Sequence, residues 1–174
     1  MSKILKISSI LWLFIVFSLS AQSQIVKLPK VLIFGNGTYA SPSGNFANLY
    51  DTGLGFEIGG GLGLGRNLLY ASTGYISYHS ISSNTAGKMN VAPVKIGLRH
   101  YILGGLFVNG AVGTAVQNFD NASNNGSSFL YEVGAGFKVL GLIELGAAYQ
   151  GYKLSGTSVN ANALLLKAGL ALKL

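Results

Sequence analysis

The sequence predicts an all-β fold, an eight-stranded antiparallel up-and-down transmembrane β-barrel whose strands follow one another as a meander. Three observations support this fold class. The 174-residue chain is 49% hydrophobic but only 10% charged, whereas soluble domains have about 25% charged residues. Apolar and polar residues alternate along one segment after another, which is the period of a sheet whose two faces meet different surroundings. The connections between these segments are alternately long and short, as in barrels that span a membrane.

Residues 1–23 have the three parts of a cleaved secretory signal peptide. Two lysines form a positive start, an apolar run follows, and Ala21 and Ser23 mark a small-residue cleavage site. Cleavage after Ala21 or after Ser23 fits this pattern. An uncleaved membrane anchor is the alternative, because the stretch is long and free of charge after its lysines. Cleavage leaves residues 24–174 as one barrel domain.

Eight segments of the mature chain are predicted strands. In order, they are residues 31–40, 50–65, 68–80, 91–102, 106–118, 129–139, 142–153 and 162–174. Six of them alternate clearly, and their apolar faces include Leu54, Ile96, Val112, Val133, Leu145 and Leu170. The first and the third have the composition of strands but no clear polar face. Within the first, Asn36 and Gly37 form a hairpin-turn signal that would split the strand.

The connections predict which strand ends lie together. Long connections rich in Ser, Asn, Gly or Thr follow the odd-numbered strands, at residues 41–49, 81–89, 119–128 and 154–161. Short ones follow the even-numbered strands, at residues 66–67, 103–105 and 140–142. In outer-membrane barrels the short turns are periplasmic and the long loops extracellular. We therefore expect both termini at the periplasmic end.

The polar faces are dominated by glycine and alanine, which suits the narrow interior of an eight-stranded barrel. The bulky apolar residues would then face lipid. Aromatic residues near the strand ends predict two girdles at the membrane interfaces. These are Tyr39, Tyr50, Tyr78, Phe119, Phe129, Tyr131, Tyr149 and Tyr152 at the long-loop end, and Tyr70, Tyr101, Phe107 and Phe137 at the short-turn end. The alternative is a soluble periplasmic ligand-binding barrel with its apolar faces inside.

Seven charged residues fall on the predicted inner faces: Glu57, Lys95, Arg99, Glu132, Lys138, Glu144 and Lys167. Three acids nearly balance four bases, and an unpaired buried charge is destabilising. We therefore expect a structural network of ion pairs that plugs the lumen. A turn centred on Gly141 sets Lys138 opposite Glu144 and Phe137 opposite Leu145. A gated polar path, as in a narrow porin, is the alternative.

Over residues 31–174 this pattern resembles the small outer-membrane β-barrel proteins of Gram-negative bacteria, the OmpA and OmpX-like group. The resemblance implies an exported monomer that the outer-membrane assembly machinery inserts among membrane lipid and lipopolysaccharide. It also implies a structural or adhesion-like surface role, with any extracellular ligand bound by the outer loops. The chain departs from the group at Leu172, Lys173 and Leu174, where such barrels usually end in an aromatic residue.

The sequence predicts no catalytic, cofactor or metal site. It has no cysteine, so it offers no thiolate ligand or nucleophile. The glycines from Gly61 to Gly65 lack the third glycine of a dinucleotide motif at Arg66. The formal charge of +7 is spread over single Lys and Arg residues, which predicts no nucleic-acid binding. The alternative function is a lipid-modifying enzyme using His79, although Ile81 stands where lipid A deacylase barrels have a serine.

Overall fold

The structure, a computed structural model, describes residues 29–81, 87–120 and 126–174. Its eight strands are β1 (Lys30–Ser43), β2 (Tyr50–Leu64), β3 (Asn67–Ser80), β4 (Met89–Leu103), β5 (Leu106–Phe119), β6 (Gly126–Val139), β7 (Ile143–Lys153) and β8 (Asn160–Lys173). All eight predicted strands are confirmed, with ends that differ by a few residues. The predicted signal peptide and parts of two long connections, residues 82–86 and 121–125, lie outside the described residues.

Each strand pairs antiparallel with its neighbours in the chain, and β8 pairs with β1, so the sheet closes into a barrel. The predicted meander is therefore confirmed. A closed sheet satisfies every strand on both sides and leaves no free edge. One short 3-10 helix, Gly44–Asn48, lies between β1 and β2. No helix in the described ranges is long and apolar enough to cross a membrane.

The predicted turn within β1 is wrong. Asn36 pairs with Glu57 on β2 and with Gly169 on β8, and the register runs without a break from Lys30 to Ala40. Hydrogen bonding on both sides of the strand outweighs the local turn preference of Asn followed by Gly. As a result Asn36 faces the barrel interior and Gly37 faces outward.

The connections define two ends of the barrel. The short-turn end holds three tight turns, in which Gly65, Gly104 and Gly141 have φ values of 63°, 56° and 70°. Glycine adopts this left-handed backbone without a steric penalty, which permits the turns to be so short. The long-loop end holds the other four connections, and the alternation of lengths is confirmed.

Large apolar side chains cover the outside of the barrel. Leu62 and Val133 are each 64% exposed, and every other residue along each strand points outward with them. Only a surrounding apolar phase would remove this much hydrocarbon from water. The alternative of a soluble barrel with the apolar faces inside is therefore wrong for this structure.

The barrel interior contains two apolar clusters. At the long-loop end, buried residues pack as one cluster: Ala40, Phe46, Tyr50, Ile76, Tyr78, Met89, Val91, Ala115, Leu130, Ala148, Tyr152, Leu154, Ala161, Ala163 and Leu165. At the short-turn end, a smaller cluster contains Leu32, Phe34, Leu68, Tyr70, Tyr101, Phe107, Ala111 and Ala171. Polar side chains occupy the space between the clusters. The interior is thus packed in layers along the barrel axis.

These clusters overturn most of the predicted aromatic girdle at the short-turn end and half of the one at the long-loop end. Tyr50, Tyr78, Tyr152, Tyr70, Tyr101 and Phe107 are buried inside the barrel, and Phe119 packs against the cluster at the long-loop end. Of the twelve residues predicted for the girdles, only five point outward: Tyr39, Phe129, Tyr131 and Tyr149 at the long-loop end and Phe137 at the other end.

Inward glycines explain why the rings fit inside. A methyl group at Gly59 would strike the ring of Phe34, and one at Gly97 would strike that of Tyr70. Gly136 stands in the same relation to Phe107. Glycine on one strand therefore makes room for an aromatic ring on its neighbour, so the glycine-rich inner faces indicate ring packing as well as a narrow interior.

Candidate functional site

Four charged side chains meet at the middle of the barrel and form what we call the ionic ring. It consists of Glu57, Lys95, Glu132 and Lys167. The Lys95 ammonium lies 2.6 Å from Glu132 Oε2 and 3.0 Å from Glu57 Oε1. The Lys167 ammonium lies 2.6 Å from Glu132 Oε1 and 2.7 Å from Glu57 Oε2. Each cation thus bridges both carboxylates, and all four carboxylate oxygens are paired.

The strand arrangement accounts for this geometry. The four members come one each from β2, β4, β6 and β8, so they approach the axis from every second strand. Each member pairs on one side with a glycine or alanine of an intervening strand: Gly74 beside Glu57, Gly113 beside Lys95, Ala111 beside Glu132 and Gly146 beside Lys167. Long side chains on alternate strands and small ones between them fill the interior without overpacking.

A second ion pair lies nearer the short-turn end. Arg99 Nη1 donates to Glu144 Oε2 at 2.7 Å, and both side chains are buried. The guanidinium also lies 4.1 Å from the centre of the Phe107 ring and 5.3 Å from that of Phe34. Stacking on aromatic faces adds to the pairing of a buried guanidinium. Arg99 therefore joins the ionic layer to the aromatic cluster beneath it.

Lys138 stands apart from the other predicted interior residues. Its predicted register is confirmed, with Lys138 opposite Glu144 and Phe137 opposite Leu145. Glu144 nevertheless pairs with Arg99, and among the described residues no carboxylate lies within 4 Å of the Lys138 ammonium. Lys138 is partly exposed at the short-turn end of the lumen. The deeper, buried Arg99 gains more from the carboxylate.

Little space remains between these groups. The cavity bounded by Glu57, Arg99, Glu132, Glu144 and Lys167 has a volume of about 20 Å³, which is room for about one water molecule. Gln150 also donates to Glu132 Oε2 at 3.1 Å. The carboxylates of the ionic ring are thus engaged by cations and by an amide inside the barrel.

Two buried glutamines were not singled out by the sequence analysis. Gln150 contacts the ionic ring, and Gln117 binds the connection between β7 and β8. The Gln117 amide donates to Lys153 O at 2.9 Å and accepts from Ser155 N at 2.9 Å. Both glutamines lie on the polar faces of alternating strands, so the alternation of residues predicts that their side chains face the lumen.

The two histidines lie on the outer surface at opposite ends of the barrel. His79 is exposed and donates from Nδ1 to the carbonyl of Thr52 at 3.3 Å, and His100 contacts Asn67 Oδ1 at 2.6 Å. No carboxylate contact to either ring is found in the described residues. The same part of the chain holds no group of three His, Asp or Glu residues that could bind a metal.

No family model and no curated protein sequence matches this chain. Solved structures do match it. Neisserial surface protein A is 13% identical, with a TM-score of 0.53, covering 83% of this chain and 97% of that one. The attachment invasion locus protein Ail of Yersinia pestis, bound to the heparin analogue sucrose octasulfate, is 16% identical with a TM-score of 0.54, covering 82% and 97%.

The N-terminal β-barrel domain of Pseudomonas aeruginosa OprF gives a TM-score of 0.57 at 18% identity, covering 82% of this chain and 96% of that domain. At such low identities the comparisons establish the fold, and all three matches extend over nearly the whole of the compared barrel. The resemblance inferred from the sequence is confirmed: this chain has the fold of the small OmpA-like eight-stranded outer-membrane barrels.

Proposed function

We propose that this protein is a small outer-membrane β-barrel that acts structurally or through contacts of its outer loops at the cell surface. The observation that carries the proposal is the distribution of polarity. The outside is apolar, while the fixed charges are paired inside a packed lumen. Such a molecule can be anchored in a bilayer, and in this proposal its lumen stays closed. Its remaining contact surfaces are its two ends.

The long-loop end supports a surface role. Its connections are rich in Ser, Asn, Gly and Thr, and Gln117 fixes the β7–β8 connection to the barrel wall. A rigid scaffold that presents polar loops is a common arrangement for binding partners. One of the compared barrels is named for attachment and invasion, which supports an adhesion-like role for this end. In this proposal the assembly machinery inserts the chain as a monomer among phospholipid and lipopolysaccharide.

The proposal includes no enzymatic activity. A lipid-modifying enzyme would require a base and an orienting carboxylate close together. His79 is instead bonded to a backbone carbonyl, and the carboxylates of Glu57 and Glu132 are paired within the barrel.

Cysteine labelling tests the orientation. The chain has no cysteine of its own, so Ser158→Cys and Arg66→Cys place one thiol at the long-loop end and one at the short-turn end, both at exposed positions. A maleimide too large to cross the outer membrane should label Cys at position 158 on intact cells, and the thiol at 66 only after lysis. Labelling at 66 on intact cells, with 158 protected, would reverse the orientation and remove the surface role.

A further inference from the structure

The positive charge of the barrel is concentrated at one end. Among the described side chains the interior is balanced, because Glu57, Glu132 and Glu144 face Lys95, Arg99 and Lys167. The long-loop end is balanced as well, with Asp51 and Asp120 against Lys88 and Lys153. The short-turn end has only cations: Lys30, Arg66, Lys138 and Lys173. The excess positive charge of the described side chains therefore lies at the short-turn end.

Two of these cations, Lys138 and Lys173, line the opening of the lumen. Lys30 lies on the neighbouring strand β1, and we call Lys30, Lys138 and Lys173 the short-turn mouth. The Lys30 ammonium donates to the carbonyl oxygen of Gly65 at 2.8 Å. Within the described part of the chain, no side-chain carboxylate lies within 4 Å of any of the three ammonium groups. Two ammonium groups that line one pocket with no carboxylate in contact favour the entry of an anion.

The mouth also has space and a fixed shape. An open pocket of about 380 Å³ is lined by Lys138, Lys173, the Tyr101 ring and glycines of two short turns. The Lys173 ammonium lies 4.0 Å from the centre of the Tyr101 ring, a cation–π contact that holds it at the pocket. The volume is in the range of small-molecule sites. Lysine ammonium groups are compact point charges that commonly bind phosphate oxygens.

We propose that the short-turn mouth binds a compact anion that carries phosphate groups. This proposal depends on the proposed function only for the location of the short-turn end at the periplasm. The phosphate can come from a soluble oligophosphate entering the mouth or from the headgroup of an anionic phospholipid at the rim. In both cases the phosphate would lie between Lys138 and Lys173, which line the pocket.

The test uses the full barrel chain refolded in a non-ionic detergent and titrated with pyrophosphate by calorimetry. Lys138→Gln/Lys173→Gln removes two cations from the mouth. Lys88→Gln/Lys153→Gln removes two exposed cations from the opposite end and is the matched control. We expect saturable binding that weakens about tenfold or more in the mouth variant, since charged hydrogen bonds are lost, and changes less than about twofold in the control.

Two results would overturn the proposal. One is the absence of saturable pyrophosphate binding by the unaltered chain, and the other is an equal loss in both variants, which would indicate diffuse charge attraction. Unaltered circular dichroism of both variants confirms that they fold. These results are independent of the labelling at positions 66 and 158, so a failed orientation and a failed binding site are distinguishable.

Lipid nanodiscs distinguish the two sources of phosphate. In phosphatidylcholine discs, pyrophosphate should bind as in detergent. If added phosphatidylglycerol weakens pyrophosphate binding to the unaltered chain, the headgroup reaches the same lysines and the source is the lipid. If phosphatidylglycerol has no effect, the source is a soluble anion. Both outcomes support phosphate recognition at the mouth.

Discussion

The Glu132 carboxylate has three partners, because it contacts Lys95, Lys167 and Gln150. The Glu132→Ala substitution would leave two buried ammonium groups sharing the single carboxylate of Glu57. Removing one partner of a buried ion pair destabilises by about 3 to 5 kcal/mol. We expect the free energy of unfolding, measured by urea denaturation of the barrel in lipid vesicles, to fall by this amount.

Asp120→Ala is the control for this substitution, because Asp120 is exposed and, within the described ranges, its carboxylate accepts a hydrogen bond only from Asn90 Nδ2, at 3.5 Å. Its effect should lie within about 0.5 kcal/mol. If Glu132→Ala unfolds at the same urea concentration as Asp120→Ala, the ionic ring does not stabilise the barrel, and the prediction that it has a structural role is wrong.

Substitution of single glycines tests whether the inward glycines make room for the aromatic rings. A methyl group at Gly136 would collide with the Phe107 ring and lie 2.7 Å from the Leu145 carbonyl oxygen. The ring cannot move freely because Arg99 stacks on it at 4.1 Å. We expect Gly136→Ala to destabilise the barrel by about 1 to 3 kcal/mol, as overpacking does.

Gly110→Ala is the matched substitution, since Gly110 lies on the outward face with no atom within 4 Å of an added methyl group. It should unfold within about 0.5 kcal/mol of the unaltered chain. Equal losses at both glycines would mean that backbone effects, rather than the fit of the ring, decide the outcome.

The alternation of apolar and polar residues predicts which side of the barrel wall a side chain faces, but not which partner it contacts. All seven predicted interior charges lie on inward positions. In a recognised strand, alternate residues face opposite sides of the sheet, so the position of a residue in the alternation determines the side it faces. Parity does not choose partners, so it could not show that Arg99 rather than Lys138 takes Glu144. The girdle prediction failed because it used nearness to the strand ends instead of this alternation. Tyr101, Phe107 and Tyr152 lie on the polar faces of their strands and are buried.

Among the elements, the 3-10 helix Gly44–Asn48 was beyond prediction. Periodicity applies to strands, and this segment lies in a Gly- and Asn-rich connection. The helix places Phe46 inside the barrel, fully buried, with ring centres 5.2 Å from both Tyr50 and Tyr78. By contrast the tight turns were predictable, because glycines with positive φ follow directly after alternating strands.

Phe46→Ala tests whether this helix belongs to the core. Deleting a fully buried phenylalanine ring costs about 3 to 5 kcal/mol, so we expect a corresponding shift in urea unfolding followed by circular dichroism. Asn45→Ala is the control, since Asn45 is exposed on the same helix. A Phe46→Ala barrel as stable as the Asn45→Ala barrel would show that the helix does not close the long-loop end in solution.

At the scale of the whole molecule, three layers fill the barrel from one end to the other. The aromatic cluster under the 3-10 helix comes first, the ionic ring and the Arg99–Glu144 pair lie in the middle, and the second aromatic cluster ends near the short turns. The sequence indicated the middle layer and the strand count. The two outer layers depend on contacts between distant strands, which no local pattern specifies.

This layering determines how the barrel behaves toward ions. An ion crossing the lumen would have to displace two aromatic clusters and break an ion-paired ring whose central cavity is about 20 Å³. We therefore expect no stable conductance in planar bilayers from the unaltered chain. Phe46→Ala should also remain closed, because it opens only the outermost layer. Steady channels of a single large size from the unaltered chain would contradict the packed lumen and favour a porin. Channels that appear only in Phe46→Ala would place the barrier at the aromatic layer instead of the ionic ring.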